Sequence, residues 1–463
     1  MGRISLCVIA KNEAAMLPGM FASVVGAVDE IVFVDTGSTD ETVRIAQAAG
    51  ARVIHHRWQD DFADARNRAV VEASGEWVLV LDCDERLAPG AREALRNAVE
   101  RGGFELGLLP LYNATRSDAS AEEILSGVAG KGAPTLLPRL MRRDPELRWE
   151  GRIHESVTGW LAKGTKRVQQ VDASILHLGN AEDVLQAKDK TQRDLALLER
   201  RCQEEPDNPV MWSHLARVYV RAHRTEDAWR AAGSGWQAVE RIAQSGGGHN
   251  YSLSPLVTVF CFLALQRGDS QVALKVLLKA AQLGIVHPNL QLLKGIAMET
   301  QALSANDQRM TLLRQATTAF AHAIKMGSQT WTEDCMPGAT GWAAYTRLGT
   351  VLLLQDEWAV AEESFRAALG ERPEHTEAQL GLAEALLGQN EYAEALSILE
   401  PILQEASSDA WILCAFACRN MGQIEDTKRF VVLAVQHIES GLYAPHRRNY
   451  LVMLQQDLVA MAG

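Results

Sequence analysis

Two aspartates separated by one residue, Asp82 and Asp84, follow the apolar run Val78-Leu79-Val80-Leu81. Carboxylates so spaced at a strand end can share a hard divalent cation with a diphosphate, leaving water and phosphate oxygens as the other ligands. In isolation the pair reads as an acidic turn, because Asp favours turns. It is not isolated. Ile4–Ala10 runs into Lys11-Asn12-Glu13, and Glu30–Asp35 ends at Asp35-Thr36-Gly37-Ser38. Ligands of open parallel sheets bind beyond the carboxyl ends of the strands, and three such ends here carry polar residues.

The elements that must position these residues are legible upstream and downstream. Ile4–Ala10, Glu30–Asp35, Ala51–His55 and Glu76–Asp82 are nearly continuous apolar runs, as expected of parallel strands covered on both faces. Between them lie helical stretches. Ser38-Thr39-Asp40-Glu41 predicts a capping box, Gly50 a helix C-cap, and a second helix spans about 61–74 before Gly75. The alternation predicts an α/β sheet with right-handed crossovers over residues 1–180.

Past residue 181 strands give way to helices with a period. Tyr345, Leu348, Gly349, Leu352, Ala361, Phe365, Ala368 and Pro373 fall at tetratricopeptide spacing. The pattern returns 34 residues later at Leu382, Ala383, Leu386, Ala395 and Leu399. Trp411, Ala415, Gly422, Val431 and Ala434 give a degenerate third copy, and units begin upstream at Trp212 and Phe260. The expected division is a domain over 1–180, a linker helix over 181–204, and an all-α tetratricopeptide-repeat solenoid over 205–463. Gly246–Gly248 and the stretch 331–341 read as loops between repeats.

At 463 residues the chain has room for roughly two or three domains of about 150 residues. It is 47% hydrophobic and 22% charged, enough to bury sizeable cores. Lys and Arg number 46 against 58 Asp and Glu, a net charge of −12 that argues against a general nucleic-acid binder. The longest apolar stretch, 256–265, falls short of the roughly 20 residues of a membrane span. Seven scattered cysteines with no CxxC pair form neither a disulfide framework nor a structural zinc site. With no signal peptide read at the N-terminus, a cytoplasmic protein is expected.

Ile9-Ala10-Lys11-Asn12-Glu13, Val34-Asp35-Thr36-Gly37-Ser38-Thr39-Asp40, Asp61-Phe62-Ala63-Asp64-Ala65-Arg66-Asn67 and Leu81-Asp82-Cys83-Asp84-Glu85 resemble, in order and spacing, the motifs of the family 2 glycosyltransferases. The resemblance covers about 1–180 and implies a GT-A (Rossmann-like) nucleotide-sugar domain. Joined to repeats, it resembles the subgroup that glycosylates proteins or peptides, flagellin-modifying enzymes and bacteriocin S-glycosyltransferases among them. It implies that Ala10, Asn12 and Glu13 lie near the nucleotide of a UDP-sugar and that Asp35 accepts from uracil or ribose. Arg66 would support the nucleotide or the aspartate pair. Asp82 would face ribose and metal-bound water, and Asp84 would bind Mn²⁺ or Mg²⁺ directly. His177, after the apolar run Ile175-Leu176, resembles the late metal-binding histidine of GT-A enzymes. His154-Glu155, following Trp149-Glu150-Gly151, resembles the acceptor side, with Glu155 as the base that deprotonates a hydroxyl or thiol.

The expected reaction is inverting transfer of GlcNAc or glucose to a Ser, Thr or Cys side chain of a polypeptide such as flagellin. The repeats would hold that acceptor along their concave face or pair two copies of the chain. Two rivals stand beside this reading: transfer to a lipid-linked or cell-surface glycan, and a repeat scaffold with an inactive transferase domain. Other features are set aside. His55 and His56 are adjacent on a strand and point to opposite faces. Cys414 and Cys418 share a packing face, and Cys83 is a spacer. Trp58 and Trp149 suit sugar stacking and core packing equally.

Overall fold

The computed structural model describes residues 2–130, 134–179, 181, 184, 190–245, 252–305, 307–328, 335–403, 408–438 and 447–462. It divides into two compact units that meet in sequence at Ser252.

In the first unit the described residues form one nine-stranded sheet. In chain order its elements are β1 (Ile4–Ala10), α1 (Leu17–Val24), β2 (Glu30–Asp35), α2 (Thr42–Ala48), β3 (Arg52–His55), α3 (Phe62–Glu72), β4 (Trp77–Val80), β5 (Glu85–Leu87), α4 (Ala91–Arg101), β6 (Leu106–Asn113), α5 (Ala121–Leu125), β7 (Thr135–Arg142), α6 (Thr158–Leu161), β8 (Val168–Gln170) and β9 (Ile175–His177). Strands run β3-β2-β1-β4-β7-β6-β9-β5, with β8 on β6. The first four are parallel, as their apolar runs require. From β7 onward the sheet is mixed, which the alternation of strand and helix does not foretell.

The period of two along each strand sorts side chains between two cores. Leu6, Val8 and Leu79 pack with Leu17, Met20 and Leu95 of α1 and α4. Cys7, Val32, Val34, Val78 and Val80 pack on the other side with Ala65 and Ala69 of α3 and with Trp160. Asp61 caps α3, accepting from the Asp64 amide. The expected capping box at 38–41 does not form: Ser38 Oγ accepts from the Asn12 amide of the β1 loop, and Asp40 accepts from the Ala14 amide with one oxygen and from the Thr42 amide, at the start of α2, with the other. Gly50 does take the left-handed conformation expected of it, at φ 79°.

Among the described residues three longer helices follow in this unit: α7 (Lys190–Glu204), α8 (Pro209–Arg221) and α9 (Thr225–Gln244). The second unit has helices and no strand among its described residues. Helical hairpins pair Ser254–Gln266 with Ser270–Gln282, Pro288–Ser304 with Arg309–Lys325, Trp342–Leu353 with Trp358–Glu371, Thr376–Gly388 with Tyr392–Leu399, and Ser408–Asn420 with Ile424–Ile438. Arg448–Ala462 follows. The small positions act as the period predicts: Phe365 is fully buried at Gly349 and Gly381, where any Cβ would overlap its ring. Cys414 and Cys418 are core residues. Gly246–Gly248 and 331–334 lie outside the described residues; 335–341 carry neither helix nor strand.

Candidate active site

Register sets the strand ends side by side. Ala10 of β1 pairs with Asp35 of β2, and Asp35 with His55 of β3. Beyond β4, the Cys83 thiol reaches the Ile9 carbonyl at 3.5 Å, which lays the Asp82–Asp84 turn against the end of β1. Cys83 is thus a buried spacer.

The first cluster organises a loop. Asp35, 4% exposed, accepts from the amides of Gly37 and Ser38 and faces His55 Nδ1 at 3.2 Å. Asn12 holds φ at 56°, in the left-handed region that Asn tolerates better than most residues. That turn lets its amide donate to Ser38 Oγ while its Oδ1 accepts from the Thr39 amide at 2.8 Å. The Glu13 amide donates to Thr42 Oγ1 at 2.7 Å, and the Ala10 carbonyl accepts from Thr36. The loops after β1 and β2 are therefore one hydrogen-bonded unit. His56 turns away to Asp64, 2.6 Å off, so the two adjacent histidines do not converge.

The second cluster is a chain of charges. Arg66 of α3 donates Nε to Glu155 and Nη2 to Asp82 Oδ1, the latter at 2.8 Å. Its guanidinium lies over the Trp149 ring, 5.4 Å from the centroid, and Trp149 itself is buried in the core. Arg139 of β7 continues the chain, 3.5 Å from Asp82 Oδ2 and 2.5 Å from Glu85 Oε1. Burial works to raise the Asp82 carboxyl, but the charges of Arg66 and Arg139 outweigh it and hold Asp82 well below the usual carboxylate range. Glu85 is 1% exposed. Burial, opposed by Arg139 and reinforced by Asp82 and Asp84, pushes it up to about 7.

The third cluster has the chemistry of a metal site. Asp84 Oδ1 lies 3.7 Å from His177 Nε2. Asn113, opposite His177 in the β6–β9 ladder, accepts from Nδ1 at 2.8 Å, which fixes the tautomer and turns Nε2 toward Asp84. A Cβ on Gly179 would overlap both Asp84 Oδ2 and His177 Nε2, so only glycine leaves this pocket open. A carboxylate and an oriented imidazole fit two positions of a Mn²⁺ or Mg²⁺ shell. Asp82 turns its oxygens to the two guanidiniums, with the His177 imidazole near enough to add to the charges that hold it ionised. Among the described residues no three His, Cys, Asp or Glu side chains form a ligand set, so the other ligands would come from substrate and water.

Glu155 and His154 part company. Glu155, its side chain 11% exposed, meets Arg66. The His154 ring stacks on His214 of α8, centroids 3.8 Å apart and planes 14° from parallel. Neither Asn113 and Arg139 nor the helix residues behind His154 are legible from motif spacing. The visible cue was Glu85, which directly follows the aspartate pair.

A family model described as glycosyl transferase family 2 matches residues 5–124, and one described as tetratricopeptide repeat matches 352–415. A TPR repeat-containing protein of Synechococcus elongatus is 34% identical over 231 residues, covering 48% of this chain and 53% of its own. The SPbeta prophage-derived glycosyltransferase SunS of Bacillus subtilis is 23% identical over 238 residues, 49% of this chain and 51% of its own. The chain thus spans about half the length of either relative. A solved tetratricopeptide repeat protein of Parabacteroides merdae superposes with a TM-score of 0.36 at 12% identity, over 57% of this chain and 92% of that one. The first match takes in Asp35, Arg66, Asp82 and Asp84 but ends before Arg139, Glu155 and His177, and helical hairpins surround the second; the chain carries a family 2 glycosyl transferase domain followed by tetratricopeptide repeats.

Proposed function

We propose that the chain transfers a sugar from a UDP-sugar to a side chain of a protein or peptide, with inversion at the anomeric carbon. The observation that carries this reading is the meeting, at the strand ends of a family 2 domain, of an Asp84–His177 pair and an Asp82–Arg66–Glu155 chain. Residues 1–180 supply the transferase chemistry, 181–204 the linking helix and 205–463 the repeats.

Asp35 and the loop it shares with Ala10, Asn12 and Glu13 receive the nucleoside, Asp35 with acceptor sites to spare beyond its present partners. Arg66 and Arg139 keep Asp82 ionised and aimed at the ribose side. Asp84 and His177 hold Mn²⁺ or Mg²⁺, which when bound offsets charge on the leaving diphosphate. Glu155 takes the proton of the acceptor hydroxyl or thiol. An open polar cleft lined by Arg57, Trp58, Asp61, Asp64, Arg152 and Arg200 runs beside the loop that bears Glu155 and gives a polypeptide somewhere to lie. The relative SunS is named a glycosyltransferase, and the repeats suit an extended protein partner or a second copy of the chain. No helix among the described residues is long and apolar enough to cross a membrane, and we place the reaction in the cytoplasm.

The test is UDP release from UDP-glucose and UDP-GlcNAc, with and without Mn²⁺, and no acceptor added. Metal-dependent release lost in Asp84→Ala supports the reading and names the donor. If neither compound is turned over and calorimetry finds no UDP binding, the transferase assignment falls.

A further inference from the structure

The loop that carries Glu155 is built in a conformation its own sequence does not favour. Gly151 has φ 100° and His154 φ 52°. A left-handed histidine costs free energy that surrounding contacts must offset. Within the loop, Glu150 and Ser156 pair their backbones reciprocally. Further support comes from helices outside the sheet. Arg201 of α7 is 6% exposed and donates Nη1 to the carbonyls of Ile153 and His154, while its Nε pairs with Glu205. A Cβ on Gly151 would overlap the Arg201 guanidinium, so the glycine both makes the turn and admits the arginine. On the next helix, His214 of α8 stacks on the His154 ring. Arg152 adds a pair with Glu204 of α7, 2.8 Å long.

We propose that α7 and the first repeat helix belong to the catalytic machinery, with Arg201 and His214 as positioning residues that hold loop 150–156 so that Glu155 reaches Arg66. The inference rests on the reading of Glu155 as the base. It makes the first repeat part of the transferase and leaves acceptor binding to the repeats beyond. The shape of Arg201 fits it for this role, because its planar fork addresses the two carbonyls and Glu205 together, whereas a lysine offers only a point charge. The backbone carbonyls it engages precede Glu155 on the chain, so their release frees the carboxylate to swing. A displacement of about 1 Å at a reacting group is enough to cost on the order of 100-fold in rate.

The experiment uses the full chain and the variants Arg201→Met, Arg201→Lys, His214→Ala, Glu155→Gln and Arg201→Met/Glu155→Gln. Hydrogen exchange reads the loop directly through the paired amides of Glu150 and Ser156. Arg201→Met should speed their exchange at least tenfold while amides of β4 and the affinity for UDP stay as in the parent. His214→Ala should do the same to a smaller degree, and Arg201→Lys should recover part of the loss. UDP release should fall about 100-fold in Arg201→Met. In the double variant it should fall no further than in Glu155→Gln alone, since groups acting as a unit are not additive. Unchanged loop exchange in Arg201→Met, or losses that multiply in the double variant, would overturn the proposal. Unchanged release in Glu155→Gln instead removes the base reading, whichever way the loop responds.

Discussion

At the scale of single residues, the site is decided by what each side chain's far end touches. Asn113 accepts the hydrogen bond of the protonated His177 Nδ1, so Nε2 is the nitrogen turned toward Asp84. Removing such an outer partner weakens metal binding by about 10- to 100-fold, and Asn113→Ala should show that loss in the Mn²⁺ concentration needed for UDP binding. An unshifted Mn²⁺ midpoint would exclude the ring as a ligand. Arg139 is a different case, because its partner Glu85 is almost wholly enclosed at 1% exposure. Arg139→Leu leaves that carboxyl without its cation, a change worth about 3 kcal/mol of stability, visible as a lower urea midpoint. Glu85→Gln in the same background should recover part of it, since an amide buries more cheaply than an uncompensated charge.

At the scale of elements, strand ends were legible and the segments between them less so. β1, β2 and β4 announce themselves by unbroken apolar runs, and the polar residues just after them could be placed at one edge from that alone. Ser38-Thr39-Asp40-Glu41 misled because the capping pattern is local, whereas Ser38 is claimed by Asn12 across the gap between strands and Asp40 divides its oxygens between Ala14 and Thr42. β5, β8 and β9 have three residues each, too few to display a period of two. Arg139 and Asn113 escaped notice for a related reason: their roles follow from β7 lying antiparallel to β4 and from β6 lying parallel to β9, and pairing partners are not written in any of these strands. The loop after β9 offers a test at this scale. Gly179→Ala sets a methyl group where Asp84 and His177 approach, so metal-dependent UDP release should drop by about 100-fold while thermal unfolding stays close to the parent. Full activity in that variant would place the metal elsewhere.

At the scale of the molecule, the packing of α7 and α8 on the sheet domain makes the stability of the first unit depend on acidity. His214 is the group concerned; His154 keeps an edge in solvent. Burial lowers the His214 imidazole well below its ordinary value, and His154, Arg217, Arg201 and Arg221 push in the same direction. An unfolded histidine takes up a proton near pH 6.5, about its ordinary value, whereas folded His214 resists until lower pH. Between those limits the unfolded chain binds more protons, so stability rises with pH there and is lost as pH falls. Acidification below about 6.5 should therefore lower the melting temperature of the first unit. His214→Phe keeps a flat ring against His154 and cannot be protonated. Its melting temperature should change less between about pH 7 and about pH 5 than the parent's, and equal slopes for the two proteins would mean that protons act elsewhere. The same profile bears on catalysis, since the stack that protonation opens is the one that anchors the loop of Glu155. A fall in UDP release that tracks this local transition in the parent, and is blunted in His214→Phe, would tie the repeat helix to the chemistry through a single pair of rings.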